Sequence, residues 1–211
     1  LVPPGAPTPP GALPSSNAPM LAGMLAPLPC DVIDLGIVPD DLDAMVAALD
    51  RARQADIIVS TGGASVGDHD MVRPAFAQAG GTLDFWKIAM RPGKPLMAGR
   101  LGDALFLGLP GNPVSAFVTA TVFLRPLIAH LSGARAAVLV LRTAILGAAL
   151  PANDRRQDYL RAQTRDGRVY VAQRQDSSLL RTLAEADCLI ARAPHAAAAI
   201  AGDSVEILAL P

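Results

Sequence analysis

The sequence predicts an α/β domain, layered α/β/α, followed by a small all-β domain. Three observations carry that prediction. Between residues 17 and 134, β-branched runs alternate with stretches of helical periodicity, the pattern of a doubly wound α/β sheet. After residue 135 the texture changes to short strand-like runs, with the hairpin signal Asp166-Gly167 between two of them. Gly- and Pro-rich loops follow strands in the first part, and in open α/β sheets ligands sit beyond the carboxyl ends of the strands.

In chain order, residues 1–16 are rich in Pro and Gly and read as an extended linker. Met20, Leu21, Met24 and Leu25 fall at helical spacing between Asn17 and Leu28. Residues 31–37 read as a short strand. Asp40 or Asp41 can cap a helix whose apolar face is Leu42, Met45, Val46 and Leu49. A strand over 56–59 empties into a Gly/Ser loop, and residues 71–79 read as helical. Strands are expected over 84–90 and 104–109, and the longest helix over 114–131, closed by Ser132-Gly133. Beyond it, strand-like runs cover 138–141, 159–162, 169–172 and 205–208. Trp86 reads as a core residue.

Net charge is −1 and the sequence pI about 6.3, which argues against nucleic acid or an anionic membrane as a partner. No apolar run in the sequence approaches the roughly 20 residues of a membrane span. Cys30 and Cys188 stand outside any metal-type spacing, so a cytoplasmic protein with two buried thiols is expected. The chain opens on Leu1-Val2-Pro3-Pro4-Gly5 without a Met, which reads as a piece of a longer protein. Lys+Arg total 18, and the two lysines, Lys87 and Lys94, lie in one eight-residue stretch.

Three loops have residue types suited to chemistry. In the first, Gly62, Gly63, Ser65 and Gly67 supply free backbone N–H groups for an anion, and Asp68 and Asp70 follow. Carboxylates repel a bare phosphate, so the pair points to a metal ion or proton transfer beside it; an ordinary βα turn with a capping Asp is the alternative. In the second, Lys87, Arg91 and Lys94 cluster around Pro92, Gly93 and Pro95, a preorganised cationic turn suited to phosphate or an oxyanion, or simply a solvated basic turn. In the third, Pro110-Gly111 leads to Asn112 as N-cap and Pro113 at the first helical position, with Ser115 behind; a helix N-terminus here attracts anions or is merely well capped.

Together, GGASVGDHD, MRPGKP and LPGNPVSAF resemble the molybdopterin-binding, MogA-like domain of MoeA-type molybdopterin molybdenumtransferases, relatives of the gephyrin E domain. The resemblance covers residues 1–134, and residues 135–211 resemble the family's C-terminal β domain through Tyr159-Leu160-Arg161-Ala162 and Gln175-Asp176-Ser177-Ser178. Ser15 stands where the family has an acidic residue, Asp176 where it has Gly, and Arg91 in place of the usual Lys. What the resemblance implies is insertion of molybdenum from molybdate into adenylylated molybdopterin with release of AMP. It implies magnesium on Asp40, Asp68 and Asp70, cationic neutralisation by Lys87, Arg91 and Lys94, and phosphate on the Gly62 loop. Pro92, Gly93 and the Pro110–Ser115 segment would shape the pterin pocket. It also implies a homodimer in the full-length protein and contact with the molybdopterin adenylyltransferase. The competing readings are a catalytically incomplete pterin-binding scaffold and a MogA-type adenylyltransferase, which the β domain argues against.

Overall fold

Apolar residues on both faces of β5 (Ala104–Leu109) make it the central strand of a four-stranded sheet, ordered β1-β5-β4-β2. The computed structural model describes residues 1–63, 71–135, 139–176 and 179–210. β1 (Ile57–Thr61) runs parallel to β5, while β4 (Met97–Leu101) and β2 (Thr82–Trp86) are antiparallel to their neighbours. Helices cover both faces, as the predicted layering requires. On one side α1 (Asn17–Leu25) and α4 (Pro113–Thr119) pack with Leu107 and Leu109. On the other, α2 (Leu42–Ala52) and α3 (Val72–Gln78) pack with Ile58, Met97 and Phe106. Asp41, not Asp40, caps α2, its Oδ1 accepting the Ala44 N–H at 2.9 Å.

Within the four-stranded sheet, among the described residues, only β1 and β5 pair in parallel. Several expectations are corrected. Residues 31–37 form no strand; Val32 and Ile33 are 54% and 80% exposed, and no described strand lies alongside to supply the pairing that makes an extended run a strand. The run 84–90 splits, because Lys87 takes φ +86 and ends β2 before the two-residue β3 (Met90–Arg91). β4 carries no strand pattern; its Gly99 is needed because a Cβ there would stand 2.2 Å from the Thr82 carbonyl oxygen. The linker is not simply extended: Val2 N–H donates to Leu13 O and Ser15 N–H to Val2 O, folding 1–16 back on itself.

The helical path Pro113–Leu131 continues from α4 through a π-helical turn (Ala120–Leu124) into α5 (Arg125–Leu131). Pro126 has no N–H to donate back along the helix, and the widened turn lies just before it. At 19 residues and mean hydropathy 1.6, this helix is long and apolar enough to cross a membrane, contrary to the reading of the sequence. More than half of it is buried within the fold, as befits a core helix.

The second part is a closed barrel. β7 (Gln157–Arg165), β8 (Arg168–Val171), β6 (Leu141–Leu146), β10 (Ser204–Ala209) and β9 (Cys188–Arg192) pair in that order, and β9 returns to β7. Closure leaves these strands without a free edge. The Asp166-Gly167 turn joins β7 and β8 with φ of +48 and +71, as the hairpin signal requires. β9 and the short α6 (Leu180–Ala184) have no counterpart in the sequence reading. A shared core of Met90, Val118, Val122, Leu189 and Leu208 joins the barrel to the first domain. β3 joins it a second time by pairing in parallel with the start of β7.

Candidate functional site

Strand register brings all three loops to one edge of the sheet. Thr61 lies opposite Leu109, Gly108 opposite Met97, and Met97 opposite Trp86. The loop after β1, the loop after β5 and the loop joining β2 to β4 therefore leave side by side. With strands spaced about 4.8 Å, they span about 14 Å.

The first and third loops touch. Gly62 N–H donates to Leu109 O at 3.0 Å, and a Cβ on Gly111 would stand 3.2 Å from the Gly62 Cα. Gly62 and Gly63 take φ of +94 and +65, left-handed backbone suited to glycine. Ser65, Gly67, Asp68 and Asp70 lie outside the described residues. Asn112 caps α4 through its Oδ1, which accepts the Ser115 N–H at 3.2 Å, with Pro113 in the first turn. Ser115 is buried at this helix start. Buried Asn17 donates from Nδ2 to Gly111 O at 2.9 Å, tying α1 to the same loop. Asp40 is exposed just before α2, and the short 53–56 connection sends α2 back along β1.

The second loop lies along α4. A Cβ on Gly93, at φ +113, would meet the Thr119 Cγ2 at 2.4 Å. Thr119 is seven positions past the Asn112 cap, about 10 Å along the helix axis. Arg91-Pro92 is a cis peptide. The three cations of this loop have different surroundings. Arg91 is paired with Asp158, whose side chain is 4% exposed, and lies 3.6 Å from Asp154. Lys94 is exposed. Lys87 has its ammonium 4.0 Å from the centroid of the Trp86 ring.

Between this loop and the barrel opens a cleft of about 630 Å³, lined by Lys87, Ile88, Ala89, Lys94, Asp154, Arg155 and Arg156. Its cations outnumber its carboxylate, so it suits an anion. The barrel wall is built from local bonds: Asn153 Nδ2 donates to Arg156 O, Arg192 O and Ala193 O, and Arg156 holds Asp154 through Nε and a terminal nitrogen. Sequence reasoning missed this wall. Its signal is the charged run Asp154-Arg155-Arg156-Gln157-Asp158, dense for a chain only 18% charged.

The side-chain hydrogen bond from Arg156, with its backbone N–H and the more distant Arg91, draws the Asp154 carboxyl from 3.8 down to about 2. A lowered folded-state value means the contribution is complete above the unfolded value near 4 and is lost as pH falls towards 2. Carbon-13 NMR is expected to place the Asp154 midpoint near 2. A midpoint near 4 would show that Arg156 does not hold it.

Among the described residues, no group of three or more His, Cys, Asp or Glu side chains is placed to hold a metal. Cys188 is buried in the barrel, and desolvation followed by the neighbouring Asp187 pushes its thiol up to about 12, which makes it unreactive. Arg161 is fully buried and also stands away from solvent chemistry. Its guanidinium donates to Gln175 Oε1, Asp176 O and Leu179 O, tying these three residues to β7.

The pattern of the family described as "Probable molybdopterin binding domain" matches residues 5–130, and that of "MoeA C-terminal region (domain IV)" matches 143–210. A molybdopterin molybdenumtransferase of Haemophilus influenzae is 43% identical over 134 residues, 63% of this chain and 33% of the relative. Molybdopterin molybdenumtransferase 2 of Mycobacterium tuberculosis is 37% identical over 168 residues, 77% of this chain and 42% of the relative. This chain thus spans only a third to two-fifths of those proteins. A solved MoeA structure from Pyrococcus horikosii, 23% identical, superposes with a TM-score of 0.84 over 99% of this chain and 51% of its own, a likeness of fold. On these grounds the chain belongs to the MoeA family, in which it joins the molybdopterin-binding domain to domain IV.

Proposed function

We propose that this chain forms the pterin- and oxyanion-binding part of a molybdopterin molybdenumtransferase. In the full-length protein it would insert molybdenum from molybdate into adenylylated molybdopterin with release of AMP. The observation that carries this reading is the convergence of three loops on one sheet edge, with a cationic cleft beside the second. The Gly63 N–H, with those of Ser65 and Gly67, would cradle phosphate, whereas the Gly62 N–H, expected to be free, is taken by Leu109 O and instead ties the first loop to the third. Pro92, Pro110, Gly111, Asn112, Pro113 and Ser115 shape the pocket floor.

Lys87 and Lys94 neutralise the bound anion, and Arg155 joins them from the barrel. Arg91, tied to Asp158 and Asp154, orients the loop rather than contacting the ligand. Asp40 is the described member of the carboxylate set Asp40, Asp68 and Asp70. That set would hold a magnesium ion, which when bound supplies charge neutralisation at the pyrophosphate. The reading also includes a homodimer, contact with the adenylyltransferase that supplies the substrate, and a reducing cytoplasm suited to the free thiols of Cys30 and Cys188.

Calorimetry with adenylylated molybdopterin tests it. Lys94→Ala removes a charged contact and is expected to weaken binding about tenfold. In the full-length protein, Asp70→Ala is expected to abolish molybdate-dependent AMP release. Unchanged binding in the first variant overturns the cleft as the anion site. Unchanged turnover in the second removes Asp70 from the mechanism.

A further inference from the structure

Lys87 sits at the end of β2 with φ +86, a conformation that lysine rarely adopts. Two backbone bonds hold the turn: Lys87 N–H donates to Leu96 O at 3.0 Å and Ile88 N–H to Lys94 O at 3.1 Å. In a continuing strand, successive side chains point to opposite faces, so Lys87 would point away from Trp86. The left-handed residue breaks that alternation. The Lys87 side chain instead folds back over its neighbour, placing Nζ 4.0 Å from the Trp86 ring centroid. The Arg73 guanidinium, on α3, also lies 4.0 Å from that centroid. Trp86 itself is half-buried against the apolar cluster of α2 and α3, so the ring is fixed by packing.

The contrast with Arg91 gives this arrangement its meaning. Carboxylates hold Arg91 in place and neutralise it. An aromatic face holds a cation by its quadrupole and leaves the charge intact. Lys87 also lines the interdomain cleft, where Lys94, Arg155 and Arg156 make the opening cationic. Resting on the reading of that cleft as an anion site, we infer that Trp86 is the positioning residue for Lys87. It orders the ammonium at the cleft wall without neutralising it, ready for a phosphate or oxyanion. Arg73 on the same ring links this stack to α3, the helix that begins where the Gly62 loop ends.

The test uses the full chain, with inorganic pyrophosphate as the probe and calorimetry as the readout. Wild type, Trp86→Leu, Trp86→Phe, Lys87→Met and the Trp86→Leu/Lys87→Met double variant are compared. Trp86→Leu is expected to weaken pyrophosphate binding about two- to five-fold, the range of one cation–π contact, and Trp86→Phe to recover most of that loss. In the Lys87→Met background, Trp86→Leu should cause a smaller further loss, because the share of the ring's effect that passes through the lysine is already gone. In the free protein, ring current should shift the Lys87 ε-methylene protons upfield, and the shift should vanish in Trp86→Leu. Equal losses from Trp86→Leu in both backgrounds would mean a merely structural ring and would overturn the inference while leaving the cleft reading standing. Ordinary ε-methylene shifts in wild type overturn it as well. A wild type that does not bind pyrophosphate overturns the cleft reading and this inference together.

Discussion

Gly93→Ala is expected to lower stability by about 3 kcal/mol, a fall in Tm of about 10 °C for a chain of this size. Two costs add. At φ +113 the backbone is in a region that alanine avoids, and the new methyl would stand 2.4 Å from the Thr119 Cγ2. Thr119 cannot swing away: it is fully buried, and its Oγ1 donates to Ser115 O at 2.7 Å and Ala116 O at 3.1 Å. The loop must therefore lift off α4, carrying Lys94 and Arg91 with it and breaking the β3–β7 pairing. Binding at the cleft should fall along with stability. Thr119→Ser removes the offending methyl and keeps the hydroxyl. Placed in the Gly93→Ala background, it should recover the steric share and leave the backbone share. Thermal melts of the two singles and the double separate these terms. A Gly93→Ala melt within about 2 °C of wild type would show that the loop does not rest on α4.

Arg161→Met should cost about 2 kcal/mol. Among the described residues Arg161 is the largest fully buried side chain, and its guanidinium serves Gln175 Oε1 at 3.3 Å, Asp176 O at 2.9 Å and Leu179 O at 3.4 Å. Burial lowers the Arg161 pKa, with Asp176 opposing, so the charge carries a desolvation cost that methionine relieves. The net loss is accordingly smaller than the sum of charged hydrogen bonds broken. Part of the anchor survives, since Gln175 Oε1 also accepts the Arg161 backbone N–H at 3.0 Å and Gln175 Nε2 donates to Arg161 O at 2.9 Å. Hydrogen exchange should accelerate in the 172–179 segment while the β1–β5 amides remain protected. Denaturant unfolding that matches wild type within about 0.5 kcal/mol would show that the buried guanidinium contributes nothing net. Ser177 belongs to this segment but lies outside the described residues.

Local signals in the chain determine structure where one short stretch holds both the cause and its effect. Asn112-Pro113 makes a helix start because an N-cap acceptor and a preset φ act within four residues. Asp166-Gly167 makes a hairpin because two adjacent residues tolerate positive φ. β5 and β8 follow from apolar and β-branched runs. Residues 31–37 failed for the complementary reason: an extended apolar run is a strand only beside a partner, and local pattern does not say whether one is present. β4 was missed because Gly99 weakens the strand pattern, although the close approach of Thr82 demands it.

The candidate site divides in the same way. The three loops and their glycines were legible, since Gly and Pro mark turns by their own geometry. Their convergence needed strand register. The roles of the cations needed more. Arg91 is sixty-seven residues from Asp158 in sequence, and only parallel pairing of β3 with β7 brings the two together. The cleft's second wall, Asp154 to Arg156, likewise comes from the barrel. The layered α/β class, the β-rich second part and the helix caps follow from the sequence, because these rest on periodicity and intrinsic backbone preference over a few residues. Barrel closure, the pairing of Arg91 with Asp158 and the meeting of Arg73 from α3 with the Trp86 ring were decided by tertiary structure. Each of these depends on which groups share a small volume, and spacing along the chain does not encode that.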